Sequence, residues 1–189
     1  MRVKNLIFGI IMAWTTTVNV CAQDLKSTVQ SESITWYGID YTGVKLIGSH
    51  GFKNPDHIVN GMFDYWNNTF LKESSKFDLK KMLGKSEINY AFQETMEANK
   101  QVDPSTIVTN ETAHKIDSKQ LQEMVNKYST TGKKGAGIAI IMEQMNKFEG
   151  MAIMHFVIFD LESKKVLYSE KISGKVGGAG LGSYWLNTF

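Results

Sequence analysis

The chain has 189 residues, 42% of them hydrophobic, with 21 basic and 19 acidic side chains, four histidines and one cysteine. A formal charge of +2 argues against nucleic acid or a polyanionic membrane surface as partner, since both select strongly basic proteins. One cysteine excludes an internal disulfide and a multi-thiolate metal site.

Arg2 and Lys4 precede a short apolar run, Leu6–Trp14, and Thr15–Ala22 then approaches a pair of small residues. That order is the pattern of a secretory signal peptide. The apolar run is too short to span a bilayer, which needs about 20 residues. Val20 and Ala22 suit the two positions that a signal peptidase reads, so cleavage is expected after Ala22, with 1–22 removed and 23–189 forming a single exported domain. Arg2, Lys4 and Cys21 leave with the signal, so the remaining chain has 19 basic against 19 acidic residues, no cysteine and no transmembrane segment. Exported domains of eukaryotes usually carry disulfides, so their absence favours a Gram-negative periplasm or envelope. Cys21 is also a possible lipid anchor. An acylated cysteine follows small residues, however, and Asn19 and Val20 fit that rule poorly.

Along 23–189 the pattern predicts a polar start to Glu32 and a strand over Ser33–Tyr41, rich in aromatic and β-branched residues. Gly43–Ser49 continues that strand or forms a bulged extension. Asn54 and Pro55 predict a helix start, with Ile58, Val59, Met62, Phe63, Trp66 and Phe70 on one face and an end near Glu73. Leu79–Gly84 reads as a helical turn, Glu87–Phe92 as a strand, Gln93–Pro104 as helix or loop, and Thr106–Thr109 as a short strand. Asp117 and Gln120 form a capping-box pair ahead of a buried stripe of Leu121, Met124, Val125 and Tyr128.

Gly137–Gln144, Met151–Asp160 and Lys165–Ser173 predict three consecutive strands, with Asp160 bonding the backbone of the second turn. The first two are apolar on both faces, apart from His155, and belong at the centre of a sheet. The third alternates, with Val166, Tyr168 and Ile172 on one side, and belongs nearer an edge. Gly174–Gly182 reads as a linker to a terminal segment, Ser183–Phe189, that docks Tyr184, Trp185 and Phe189.

Gly135–Met142, followed by the run from Ile158 to Ser169, resembles small envelope proteins of Gram-negative bacteria. In these an apolar strand ends in Asp, a polar turn follows, and a strand of the type Val-Leu-Trp/Tyr-Ser returns. The group includes the curli-secretion lipoprotein CsgG and the TolB amino-terminal domain. Ser173–Trp185 is similar to a Gly-Gly-Phe-Gly-x-x-Asn-Tyr-Trp ending found in secreted proteins. The resemblance covers about a third of the chain, mainly 135–185. It implies a mixed sheet with helices packed on it and carries over no catalytic residue.

Candidate chemistry is sparse. Met142, Met145, Met151 and Met154 beside His155 suggest copper(I), but three-residue spacing on a strand sends paired Met side chains to opposite faces. Gly174–Gly182 lacks the spacing of a phosphate or dinucleotide loop. No Gly-x-Ser-x-Gly elbow occurs. Trp36, Tyr37, Tyr41, Tyr65 and Trp66 suggest a sugar platform, though core packing explains their spacing more simply.

The sequence therefore predicts an α+β domain, with a mixed or antiparallel sheet of four to five strands and two to three helices. No catalytic residue, cofactor or metal is expected. The expected function is a non-enzymatic, exported envelope module that binds another protein or an envelope component, or self-associates. The alternatives are a small-ligand or carbohydrate binder using the Trp/Tyr set, and a hydrolase with an unrecognised site. Two central strands apolar on both faces need more cover than two helices supply. Either a partner meets the face at Ile153, His155 and Val157, or the terminal segment folds back over the sheet.

Overall fold

The computed structural model describes residue 30, residues 34–73 and residues 78–189. The expected signal peptide over 1–22 and its Cys21 lie outside the described residues. Strand β1 (Ile34–Asp40) is buried at every position. Ile34 and Trp36 enter one hydrophobic cluster and Tyr37 the other, because successive side chains leave a strand on opposite faces. At Gly38, with φ of 87°, the register against the strand alongside shifts. A left-handed residue suits such a bulge, and only glycine adopts it without strain.

The bulge takes the Ile39 backbone partly out of the ladder, and two buried asparagines supply the missing bonds. Asn67 Oδ1 accepts the Ile39 N–H at 2.8 Å and Asn67 Nδ2 donates to the Ile39 carbonyl at 2.9 Å. Asn99 Nδ2 donates to that carbonyl at 2.9 Å, and Asn99 Oδ1 accepts the Tyr41 N–H at 2.7 Å. Buried backbone groups need such partners, since an orphaned one costs about 1–3 kcal/mol.

A turn at Tyr41–Val44 leads into β2 (Lys45–Ile47). Helix α1 (55–72) begins where Asn54 Oδ1 accepts the His57 N–H at 3.1 Å, passes through a π-turn over Ile58–Met62, and ends before Glu73. Its buried face is Ile58, Val59, Phe63, Trp66 and Phe70, as expected, with Met62 partly buried beside them. Short elements follow: α2 (Leu79–Leu83), β3 (Asn89–Tyr90), α3 (Phe92–Asn99), α4 (Pro104–Ile107) and β4 (Val108–Thr109). Helix α5 (Ser118–Asn126) carries the expected capping box, with Asp117 Oδ1 accepting from Gln120 N–H at 2.8 Å and Gln120 Oε1 from Asp117 N–H at 2.9 Å. Then come β5 (Ala136–Asn146), β6 (Met151–Asp160), β7 (Val166–Lys175) and α6 (Gly180–Leu186).

One seven-stranded sheet holds these elements. β1 and β2 lie end to end along a single edge of β5, pairing Ile34–Asp40 with Ala136–Ile141 and Lys45–Ile47 with Gln144–Asn146. β3 continues the sheet beyond β1, and β4 beyond β2. All these pairs are parallel, so β1 to β5 are five strands running one way. β6 then pairs antiparallel with the other edge of β5, and β7 antiparallel with β6.

The expectation of a mixed or antiparallel sheet of four to five strands with two to three helices is corrected by this architecture. A five-strand parallel array forms most of a seven-stranded sheet, and six helices lie within the described residues. The physical reason is length. β2 has three residues, and β3 and β4 have two each, too few to show alternation. Parallel strands also need crossovers, and α1 to α5 lie in the crossovers between β2 and β5.

α1 and α6 cover one face of the sheet and α5 the other. The first cluster joins Trp36, Phe63, Trp66, Ile138, Met142, Met154, Trp185 and their neighbours. The second joins Tyr37, Leu121, Val125, Ile141, Val157 and Phe159. The terminal segment does fold back onto the sheet. Trp185 is buried in the first cluster, and a Cβ on Gly174 of β7 would occupy the place of the Thr188 carbonyl.

Candidate functional site

The meander β5–β6–β7 carries both the main charged cluster of the interior and the longest edge strand of the sheet. Glu143 is a single acid within an apolar central strand. A register shift between Met142 and Gln144 marks a bulge at this residue. Its side chain is wholly buried and meets three donors. Glu143 Oε2 accepts the Ile116 N–H at 2.9 Å, His155 Nε2 at 2.9 Å and Lys171 Nζ at 2.8 Å, and Lys171 also reaches Oε1 at 3.0 Å. Burial pushes this carboxyl up. The backbone N–H, the Lys171 ammonium and His155 outweigh it, and the group is held down at about 2 from an ordinary 4.5. A carboxylate so ionised and so fully engaged is a fixed counter-charge rather than a proton acceptor. It anchors the segment before α5 to the sheet through Ile116, and it draws the Lys171 ammonium inward off β7.

The bulge also corrects the expected placing of the methionines. Met142 and Met145 lie in the same cluster, with Met154, because one extra residue between them restores a common face. His155 points the other way, to Glu143, so the sulfurs and the imidazole do not converge. Among the described residues no group of three or more His, Cys, Asp or Glu is placed to hold a metal ion.

β7 is the edge. Within the described residues it pairs only with β6. A second register shift, between Ile158 and Phe159, makes Leu167 an extra residue, so Val166 opposes Phe159 and Tyr168 opposes Ile158. The expected common side for Val166, Tyr168 and Ile172 is corrected accordingly. Val166 packs on the second cluster, while Tyr168, Glu170 and Ile172 stand on the first face, opposite Ile158, Phe156 and Met154. Tyr168 is 38% exposed and Ile172 41%, and both continue a half-buried row of Ile140, Phe156 and Ile158. Tyr168 donates its hydroxyl to Glu170 Oε2 at 2.8 Å, which raises the phenol's affinity for its proton. The site is thus a ten-residue strand with an apolar, partly open face on one side and an outer edge that, among the described residues, pairs with no further strand and is met by α5 at its start, where Gln122 Oε1 accepts the Val166 N–H at 2.9 Å.

The three residues expected at a contact, Ile153, His155 and Val157, are placed differently from this row. Val157 lies in the second cluster with α5, His155 is buried against Glu143, and Ile153 is half-buried. Of the aromatic set, Trp36, Tyr37, Tyr41 and Trp66 are core residues, and only Tyr65 is open to solvent. Two clefts of about 430 and 420 Å³ open elsewhere. In the first, Lys45 Nζ donates to the Thr106 carbonyl at 2.6 Å and Asp103 caps α4. In the second, Lys133 donates to the Ser129 carbonyl at 3.1 Å and Lys134 faces Glu162 at 3.6 Å. Their charged groups already have partners within the fold.

Glu143, Glu170 and Lys171 were not singled out from sequence. A signal for Glu143 was present, because an acid inside a run as apolar as Ile138–Met145 must be paired once buried. Nothing in the sequence names His155 and Lys171 as its partners. No family model, no curated protein and no solved structure matches the chain. No helix among the described residues is long and apolar enough to cross a membrane.

Proposed function

We propose that this protein is an exported, non-enzymatic module of a Gram-negative cell envelope that holds another polypeptide along the outer edge of β7. The observation that carries the reading is the combination at that strand. Beyond Val166, whose N–H is bonded by Gln122, the edge offers a ladder of backbone donors and acceptors, and the open Tyr168 and Ile172 side chains supply apolar contact beside it. Addition of an extended segment to such an edge takes affinity from main-chain bonds and specificity from alternate side chains. The charged groups near by support binding rather than catalysis, since the Glu143 carboxylate is committed to three donors. The first twenty-two residues support export.

Two measurements test the reading. The intact mass of the protein from the envelope fraction should correspond to a chain beginning at Gln23. A diacylglycerol-modified Cys21 at the N-terminus would replace free export with anchoring. A photo-crosslinking residue at Tyr168, introduced in living cells, should give covalent adducts with polypeptide, while the same residue at Tyr65 on α1 should give none. Absence of adducts from position 168 would remove the binding edge.

A further inference from the structure

We infer that the segment held by β7 is not a second copy of this chain but a strand of another protein with the pattern apolar–x–basic–x–apolar. The inference rests on the reading of β7 as a binding edge and adds the chemistry of what it binds. On the first face of the sheet, the regular run of β7 presents Tyr168, Glu170 and Ile172 in alternation. Glu170 is exposed and accepts the neighbouring Tyr168 hydroxyl. On the opposite face the same run presents Ser169 and Lys171, and the Lys171 ammonium is turned inward to Glu143 at 2.8 and 3.0 Å. The middle of the edge therefore shows an incoming strand one negative charge between two apolar side chains. Lys164, Lys165 and Lys175 stand only at its ends.

Residues directly opposite in a sheet sit about 5 Å apart and interact as pairs, favourably for opposite charges and unfavourably for like ones. A copy of β7 docked antiparallel, with Tyr168 against Ile172 of the second copy, places the twofold axis on Glu170 and brings the two Glu170 carboxylates face to face. The pairing that matches the apolar residues is thus the one that opposes like charges, and this edge is guarded against itself. A strand with Lys or Arg at the central position and apolar residues two places before and after meets Glu170 with opposite charge and covers Tyr168 and Ile172. Small polar residues at the two x positions face Ser169 and Lys171.

The test uses the full exported protein and two cyclic β-hairpin peptides. Their outer strands read Thr-Val-Thr-Lys-Thr-Val-Thr and Thr-Val-Thr-Glu-Thr-Val-Thr, cyclisation limiting the ordering cost. Binding is read by fluorescence anisotropy, and its location by hydrogen exchange of the β7 amides. The lysine peptide should bind roughly 3- to 10-fold more tightly than the glutamate peptide, the scale of one cross-strand charge pair. Glu170→Lys should reverse the order. Tyr168→Ser combined with Ile172→Ser should abolish binding of both while the far-ultraviolet circular dichroism stays that of the folded parent, since both side chains are more than a third exposed. Equal binding of the two peptides, indifferent to Glu170→Lys, overturns the charge rule and leaves β7 as a binding edge. Failure of both peptides to protect β7 overturns the inference, and absence of adducts at position 168 would then overturn the functional reading separately. A dimer in sedimentation that Glu170→Lys leaves intact and Ile172→Ser dissolves also overturns it, in favour of self-association.

Discussion

Glu143 shows what one buried charge does to a fold. Its carboxyl is held at about 2 in the folded chain against an ordinary 4.5. A depressed value means that the folded state binds this proton less readily than the unfolded state does. The stabilisation is therefore complete above the ordinary value and drains away as pH falls from 4.5 toward about 2. Acid unfolding followed by circular dichroism should show this loss, and Glu143→Gln should flatten that part of the profile. At neutral pH the same change should destabilise by about 2–3 kcal/mol, the scale of hydrogen bonds to a charged group. If the variant keeps the acid sensitivity of the parent, other carboxylates control it.

Among the elements, the long apolar strands were readable and the short ones were not. β6 runs over Met151–Asp160 as the pattern predicts, and Asp160 does close the following turn, accepting from Ser163 N–H at 2.8 Å. The start of α1 at Asn54 and the cap of α5 were equally legible, because side-chain caps are local chemistry. Bulges were not legible. Those at Gly38, Glu143 and Leu167 each shift the alternation by one residue, and so moved Met145 and Val166 to faces that simple counting does not give. The edge character of β7 was visible in its alternation. The cluster behind it was not, since it joins residues from three strands whose register no local rule supplies. A prediction belongs at this scale. Phe159 is fully buried with its ring tilted against those of Tyr37 and Tyr128, whereas Phe156 on the same strand is half-buried. Phe159→Ala should cost about 3–5 kcal/mol in urea unfolding, and Phe156→Ala distinctly less. Equal costs would mean that the open row on the first face is closed in solution.

For the molecule as a whole, the terminal segment is a structural part rather than a tail. Trp185 stacks on Phe52, the Trp66 indole donates to the Gly182 carbonyl at 3.0 Å, and Thr188 occupies the space above Gly174. Removing 183–189 takes Trp185 off Phe52 and Thr188 off Gly174. The truncated protein should aggregate at concentrations where the intact one does not, measured by light scattering. A truncated chain that stays dispersed with an unchanged melting temperature would show that another element closes this face.

The end-to-end placing of β1 and β2 along β5 has a consequence for the chain while it is being made. Before β5 is present, the strands available to the first two-thirds of the sequence can join only through β1–β3 and β2–β4, two rungs each. Two such ladders cannot offset the entropy of the long loops they close. The amino-terminal part thus has no template until the last third arrives, whereas β5, β6 and β7 pair with near neighbours and need no one else. A chain made from its amino terminus therefore stays open for as long as its carboxyl third is missing, and closes only once β5 is present. Pulsed hydrogen exchange during refolding should accordingly protect 136–175 first and 34–47 later, and protection in the reverse order would break the link between strand order and folding order.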